Sequence, residues 1–248
     1  MPKLSDISTR APKGYEKEVT KESTKVLLKR LRELQPILYA EAKYSLLIIL
    51  QGMDASGKDG AVKAVFSGVN PMGCDVQAFK KPTPEEYNHD FLWRVHRYAP
   101  AKGMIQIFNR SHYEDILVPT VHKTIDADLI KKRYGHINDF ERLLAEHNTI
   151  VFKFYLHISQ EEQSKRFEER VTDKEKQWKY RDQDLEEAKK WGKYMDTYEE
   201  IFSKCNAIPW HIVPSDQNWY KEHYIARIVV EKLETLGLKY PGFVENEN

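Results

Sequence analysis

Apolar residues along the chain gather in five short runs, at residues 45–50, 74–79, 104–108, 149–158 and 208–213, and each run reads as a strand. The first, Leu46-Leu47-Ile48-Ile49-Leu50, is apolar without alternation, as a strand buried on both faces should be. Between the runs the apolar spacing becomes helical. Residues 23–41 place Val26, Leu27, Leu31, Leu34 and Leu38 on one side, with an interruption expected near Pro36. Thr83-Pro84-Glu85-Glu86 is a capping box with proline at the first helical position. It opens a predicted helix that carries Phe91, Leu92, Val95 and Tyr98 and stops at Pro100. Residues 129–147 are strongly helical, with Ile130, Tyr134, Ile137, Phe140 and Leu144 together. Ser159 and Glu162 form a second capping box, which starts a long charged helical region reaching about Lys204; residues 219–236 close the chain as a helix.

Strands alternating with helices imply βα crossovers: an α/β fold with a five-stranded, mainly parallel sheet and helices on both faces. The expected organisation is an N-terminal extension at residues 1–20 and a single domain at 21–243. A lid lies at about 160–190 of that domain, and a short tail follows at 244–248. In such sheets ligands bind at the carboxyl ends of the strands. The residues that follow each run are therefore the place to look for chemistry.

After the first run comes Gly52-Met53-Asp54-Ala55-Ser56-Gly57-Lys58-Asp59-Gly60, and Ala61, Val62, Ala64, Val65 and Phe66 continue as a helix. Strand, glycine-bracketed loop and helix make the frame of a phosphate-binding P-loop, whose backbone N–H groups and lysine meet a polyphosphate. A chance Gly-rich turn would lack this flanking context. Asp59 stands where most P-loops place a magnesium-binding Ser or Thr, and Asp54 is a second acid within the loop. Two carboxylates beside a phosphate call for a divalent cation between them.

The third run is followed by Asn109-Arg110-Ser111-His112-Tyr113-Glu114. Many P-loop proteins end this strand in an acid; here Asn109 is neutral. Arg110 can brace a transferring phosphate, since guanidinium matches phosphate oxygens bidentately, and Glu114 is the nearest acid. Lys80 and Lys81 follow the second run, either as a solvated loop or as contacts to the tail of a long phosphate chain. Arg166 and Arg170 are four apart and share a helix face, where a closing lid would bring them over a phosphate donor. Lys174, Lys176, Lys179 and Arg181, mixed with Trp178 and Tyr180, also resemble a single-strand groove. Glu168, Glu169, Asp182, Asp184, Glu186 and Glu187 would interrupt such a track, so no nucleic-acid partner is expected.

Charge balance agrees: 39 basic against 38 acidic residues leave a net charge of +1, so any basic surface is local. Cys74 and Cys205 have no metal-ligand spacing and fit a reducing cytoplasm. No stretch approaches membrane-spanning length, and residues 1–14 lack the apolar core of a secretory signal. The histidines, among them His89, His96, His112 and His136, show no metal pattern and read as core or rim groups.

Five motifs together resemble the polyphosphate kinase 2 family: G-M-D-A-S-G-K-D-G at 52–60, F-K-K-P-T at 79–83, H-D-F-L-W-R-V-H at 89–96, I-F-N-R-S-H-Y-E-D at 107–115 and K-Q-W-K-Y at 176–180. The resemblance spans about residues 12–243. It implies a P-loop kinase fold like that of thymidylate kinase, a helical lid, and Mg²⁺-dependent phosphoryl transfer between inorganic polyphosphate and nucleotides. Lys-Asp after the second P-loop glycine is the family's habit. The resemblance implies Asp54 as the metal-associated acid and Lys58 as a phosphate ligand. It places Arg110 beside the reacting phosphates, with Arg166 and Arg170 as lid arginines. The expected catalytic set is thus Asp54, Lys58, Arg110 and Glu114. Gly52, Ala55, Ser56, Gly57, Lys58, Asp59, Gly60 and Asn109 are expected to bind phosphate or nucleotide, and Lys80, Lys81, Arg166 and Arg170 the polyphosphate. Asn109 and Glu114 resemble the branch that phosphorylates both nucleoside monophosphates and diphosphates; other branches carry Asp at the first position and a Tyr-Asn-Arg run at 113–115, and the expected activity is reversible transfer to AMP and ADP, with ATP as a further partner. The family also suggests a homo-oligomer. An ATP-dependent nucleotide or small-molecule kinase and a non-catalytic nucleotide-binding module are the alternatives on the same fold.

Overall fold

The five apolar runs become five strands in a computed structural model that describes residues 3–180 and 182–242. They are β1 (Ser45–Gln51), β2 (Cys74–Ala78), β3 (Ile105–Asn109), β4 (Thr149–His157) and β5 (Trp210–Pro214). Every pairing is parallel, in the order β2-β3-β1-β4-β5. The register sets Leu50 of β1 beside Asn109 of β3 and Phe154 of β4, so the central strands finish close together. The strand order reverses about β1, and this opens a crevice where its carboxyl end meets those of its neighbours.

β1 is buried along its whole length, and its side chains alternate between two cores. Leu47 and Ile49 join Phe108 and Tyr155 under α5 (Glu114–His122), α6 (Ala127–Glu146) and α9 (Trp191–Lys204). Leu46, Ile48 and Leu50 join Phe154 beneath α1 (Lys17–Glu41), α2 (Lys58–Phe66) and α10 (Asn218–Thr235). Strand order and P-loop together make this a P-loop kinase fold.

Several boundaries differ from the sequence expectation. α1 begins at Lys17, so its first turn takes up residues assigned to the extension, and it runs unbroken through Pro36. Proline forfeits one N–H. The buried Leu31, Leu34 and Leu38 nonetheless hold the helix to Glu41, where Ala42 turns left-handed and returns its N–H to Leu38 O. The single helix expected from Thr83 is two short ones, α3 (Pro84–Tyr87) and α4 (Trp93–His96). Asp90 divides them because its carboxylate accepts the N–H groups of Leu92 and Trp93. The charged region after Ser159 likewise breaks, into α7 (Gln160–Thr172), α8 (Asp182–Ala188) and α9. Ser159 accepts the Glu162 N–H, but the Glu162 carboxylate turns to Arg166 instead of completing the box. Residues 3–11 lap over the sheet's carboxyl edge: His157 Nε2 donates to Leu4 O and Ile7 O, and Thr9 bonds Asp216. The expected tail at 244–248 and Arg181 fall outside the described residues. No helix among the described residues is long and apolar enough to cross a membrane.

One buried network fixes the segment after β3. Lys153 Nζ, on β4, donates to Glu141 Oε2 at 2.7 Å, Tyr113 Oη at 3.0 Å and Cys205 O at 2.9 Å. Tyr113 Oη in turn donates to Glu141 Oε1 at 2.6 Å, and His112 Nε2 stands 3.4 Å from the same oxygen. Burial works against the Glu141 carboxylate, but His112 and Lys153 outweigh it and hold its pKa below the ordinary value. Removing one member of a buried pair leaves the other uncompensated, so Lys153→Met should cost about 3–5 kcal/mol of unfolding free energy. Chemical denaturation measures this; a loss under about 1 kcal/mol would mean that the pair is not a keystone of the fold.

Candidate active site

β1 delivers the chain at Gln51 into a loop built on positive φ angles: 150° at Gly52, 62° at Ala55 and 89° at Gly57. A Cβ at Gly52 would lie 2.8 Å from Leu156 O, so only glycine fits against β4 there. Gly57 is the N-cap of α2, and Lys58 is its first residue. The first N–H groups of a helix lack intrahelical partners and carry the positive end of its dipole. The carbonyls of the loop are held by side chains. Lys58 Nζ takes Gly52 O at 2.8 Å and Met53 O at 3.1 Å. Gln163 Nε2 takes Asp54 O at 2.9 Å, Arg166 Nη1 takes Ala55 O at 2.9 Å, and Lys221 Nζ takes Gly57 O at 3.3 Å. With its carbonyls engaged in this way, the loop is set up to offer N–H groups to an anion.

Lys58 is buried, and burial followed by the nearby Arg110 guanidinium pushes its pKa down to about 8. A phosphate would reverse that shift, since it supplies the opposite charge that burial withholds.

Facing the loop, Arg110 leaves β3 in the left-handed region, with φ 62°. Its Nη2 donates to Asp54 Oδ1 at 2.5 Å, and Nη1 lies 3.7 Å from Glu114 Oε2. Glu114, the first residue of α5, has its pKa raised by burial against the opposing pull of Arg110. The Gln51 amide, turned to suit its neighbours, donates to Glu114 Oε1 at 3.0 Å and accepts from Ser111 Oγ. Asn109 Nδ2 donates to Asp59 Oδ1 at 2.8 Å. P-loop and β3 motif thus bring Asp54, Lys58, Asp59, Asn109, Arg110 and Glu114 into one cluster.

Lys80 and Lys81 are exposed on the same rim. Their loop is tied to the first turn of α5 by Arg94, whose Nη1 donates to Lys80 O at 2.9 Å while Nη2 pairs with Asp115 Oδ2 at 2.9 Å. The lid arginines differ from one another. Arg170 pairs with Asp184 of α8 at 2.9 Å. Arg166 is expected from sequence to face the donor, yet its guanidinium is committed to Ala55 O, Ser215 O, Asp216 O and Glu162. Sequence reasoning missed Gln163, Arg94 and Lys221. Arg94 lies within the motif at 89–96, but Gln163 and Lys221 have no local signature, because only the fold brings α7 and α10 to the loop.

Among the described residues no three His, Cys, Asp or Glu side chains gather to hold a metal alone. A hard cation needs only one or two carboxylates when phosphates supply the rest of its shell. Asp54, partly exposed beside Lys58 and Arg110, fits that requirement as an oxygen donor.

The polyphosphate kinase 2 family model matches residues 14–239. An AMP/ADP-polyphosphate phosphotransferase from Meiothermus ruber is 45% identical over 227 residues, covering 91% of this chain and 85% of that protein. An ADP-polyphosphate phosphotransferase from Rhodopseudomonas palustris is 40% identical, covering 96% of this chain and 88% of its own. The crystal structure of polyphosphate kinase 2 from Arthrobacter aurescens TC1 superposes with a TM-score of 0.94 at 40% identity, over 98% of this chain and 88% of that one.

Proposed function

The chain belongs to the polyphosphate kinase 2 family, and on that footing we propose that it transfers the terminal phosphoryl group of inorganic polyphosphate to AMP and ADP, reversibly with ATP. The observation that carries the proposal is the P-loop facing Arg110, with Asp54 and Glu114 on either side of the guanidinium. An oxygen of the nucleotide's terminal phosphate attacks the terminal phosphorus of the chain. The bond to the next phosphate breaks, its electron pair stays on that phosphate, and the chain shortens by one unit. The acceptor is already anionic, so no strong base is needed, and positioning with charge neutralisation does most of the catalysis.

The P-loop N–H groups and Lys58 bind phosphate oxygens, and Arg110 offsets charge on the group in flight. Asp54 is the residue that would hold magnesium, which when bound neutralises phosphate charge and orients the oxygens. Asp59, tied to Asn109, shapes the mouth of the loop. Arg170, Lys80 and Lys81 line the path of the donor chain, and the lid carrying Arg170 excludes water that would otherwise accept the phosphoryl group. Arg166 serves this site through the loop carbonyls. We extend the proposal to a cytoplasmic homo-oligomer; the free Cys74 and Cys205 support the first part, and β2, at an edge of the sheet where a further strand can pair, supports the second.

The test is incubation with Mg²⁺ and polyphosphate, without ATP. ADP should yield ATP, and AMP should yield ADP. An ATP-dependent kinase or a binding module would yield neither, and conversion of ADP alone would remove AMP from the proposal. Glu114→Ala should change the AMP and ADP rates unequally, because the carboxylate is held beside Arg110 and Gln51 where the acceptor's charge enters. Equal changes in steady-state assays would show that Glu114 does not read acceptor length.

The exposed lysines bear on the donor. Contacts between exposed cations and a polyanion weaken as salt rises. The KM for long polyphosphate should climb more steeply with salt than that for ADP, and Lys80→Ala with Lys81→Ala should flatten the climb and raise that KM. Identical salt slopes for both substrates, unmoved by the double substitution, would leave these lysines as solvated loop residues.

A further inference from the structure

Lys221 on α10 is almost wholly buried at 1% exposure, far in sequence from the motifs of the active site. Its ammonium donates to Gly57 O at 3.3 Å and Asn218 Oδ1 at 2.8 Å, so both acceptors are neutral oxygens. The approach to the loop is tight: a Cβ on Gly57 would meet Lys221 Nζ first and would lie 3.5 Å from Arg166 Nη1. Arg166, the second cation here, spends one nitrogen on Glu162 and the others on backbone oxygens. Gln163 adds a third donor, to Asp54 O.

A buried cation held by neutral acceptors is costly, and here the Glu222 and Glu162 carboxylates offset only part of the hydration it has lost. Burial and the neighbouring Arg166 push Lys221 down to about 8, which leaves it charged at neutral pH. This charge sits on the Gly57 carbonyl, at the N-cap of α2, whose free N–H groups are the ones offered to an anion. An anion there repays the desolvation of Lys221, so the cost carried by the fold becomes a contribution to binding.

We propose that Lys221, with Arg166 and Gln163, forms a clamp on the outer side of the P-loop. The clamp holds three loop carbonyls away from the anion and places a second positive charge behind Gly57. These are positioning residues: they reach the phosphate through the loop. The proposal rests on the P-loop being the phosphate site of the transfer reaction described above.

The test uses Lys221→Met, which keeps chain length but removes donor and charge. Binding of tripolyphosphate and of ADP is measured by calorimetry at pH 7 over a range of salt, together with the melting temperature. The expected result is about tenfold weaker binding, a shallower salt dependence and a melting temperature at or above that of the parent protein. Binding within twofold of the parent overturns the proposal. So does weaker binding that comes with a lower melting temperature and an unchanged salt slope, which is the mark of a purely structural brace. Gln163→Leu keeps the proposal testable if Lys221→Met does not fold: it should weaken binding about threefold, and unchanged binding counts against the clamp. Parent protein that binds ADP but not tripolyphosphate would overturn the polyphosphate proposal while leaving the clamp to be read on ADP. Binding of neither would overturn both.

Discussion

Lys58→Ala should lower kcat/KM for phosphoryl transfer by about 10²–10³ while the protein stays folded. Lys58 is a desolvated cation resting on the Gly52 and Met53 carbonyls, so its removal relieves a burial cost and leaves two carbonyls to find other partners. Stability should therefore change little, and a thermal melt alongside the kinetics separates the two effects. Retention of more than a tenth of the activity by a folded variant would take Lys58 out of the mechanism. The pH dependence follows with a definite sign. Lys58 titrates near 8 instead of its ordinary 10.5, so it is charged below 8 and loses its proton as pH rises through that value. Phosphate binding favours the charged form, so binding takes up a proton above pH 8 and affinity falls as the medium becomes more alkaline. Lys58→Ala should shrink that alkaline loss but not abolish it, because Lys221 also titrates near 8.

Arg110→Lys should be nearly as damaging as Arg110→Ala, with either lowering kcat by about 10³ or more. The planar guanidinium reaches Asp54 with one nitrogen while another faces Glu114. An ammonium cannot span both, and it presents no bidentate fork to a phosphate in flight. Both carboxylates drive the Arg110 pKa well above its ordinary value, with Glu114 the larger influence, so its charge is fixed at every working pH. The left-handed φ of 62° at this position is unchanged in kind by either substitution, so the defect should appear in kcat and not in folding. A Lys variant with kcat within tenfold of the parent would show that only the charge matters.

How far the sequence disclosed these features depends on how local each one is. The strands were legible because runs such as Leu46–Leu50 are apolar without interruption, and their alternation with helices required a parallel sheet. The P-loop was legible because its geometry is written in consecutive residues, and Arg110 and Glu114 because they follow the next strand of the crevice. Helix continuity was harder to read. Pro36 suggested a break that the buried Leu31, Leu34 and Leu38 override, whereas the break at Asp90 depends on a carboxylate choosing two backbone N–H groups over solvent. α5 escaped notice because its nine residues follow the β3 motif directly and include Pro119. Arg166 shows the limit most clearly. Its spacing from Arg170 puts both on one helix face, but only the fold shows Ala55, Ser215 and Asp216 taking up its donors. Lys221 had no signal at all, since nothing near it in sequence marks a phosphate site.

The measurement that bears most directly on the account is a single turnover with polyphosphate labelled in its terminal phosphate, excess protein, Mg²⁺ and unlabelled ADP. Direct in-line transfer predicts that label passes into the terminal phosphate of ATP at the rate at which it leaves the chain, with none on the protein at any time. Label that accumulates on the protein, or that appears only as free phosphate, would contradict it.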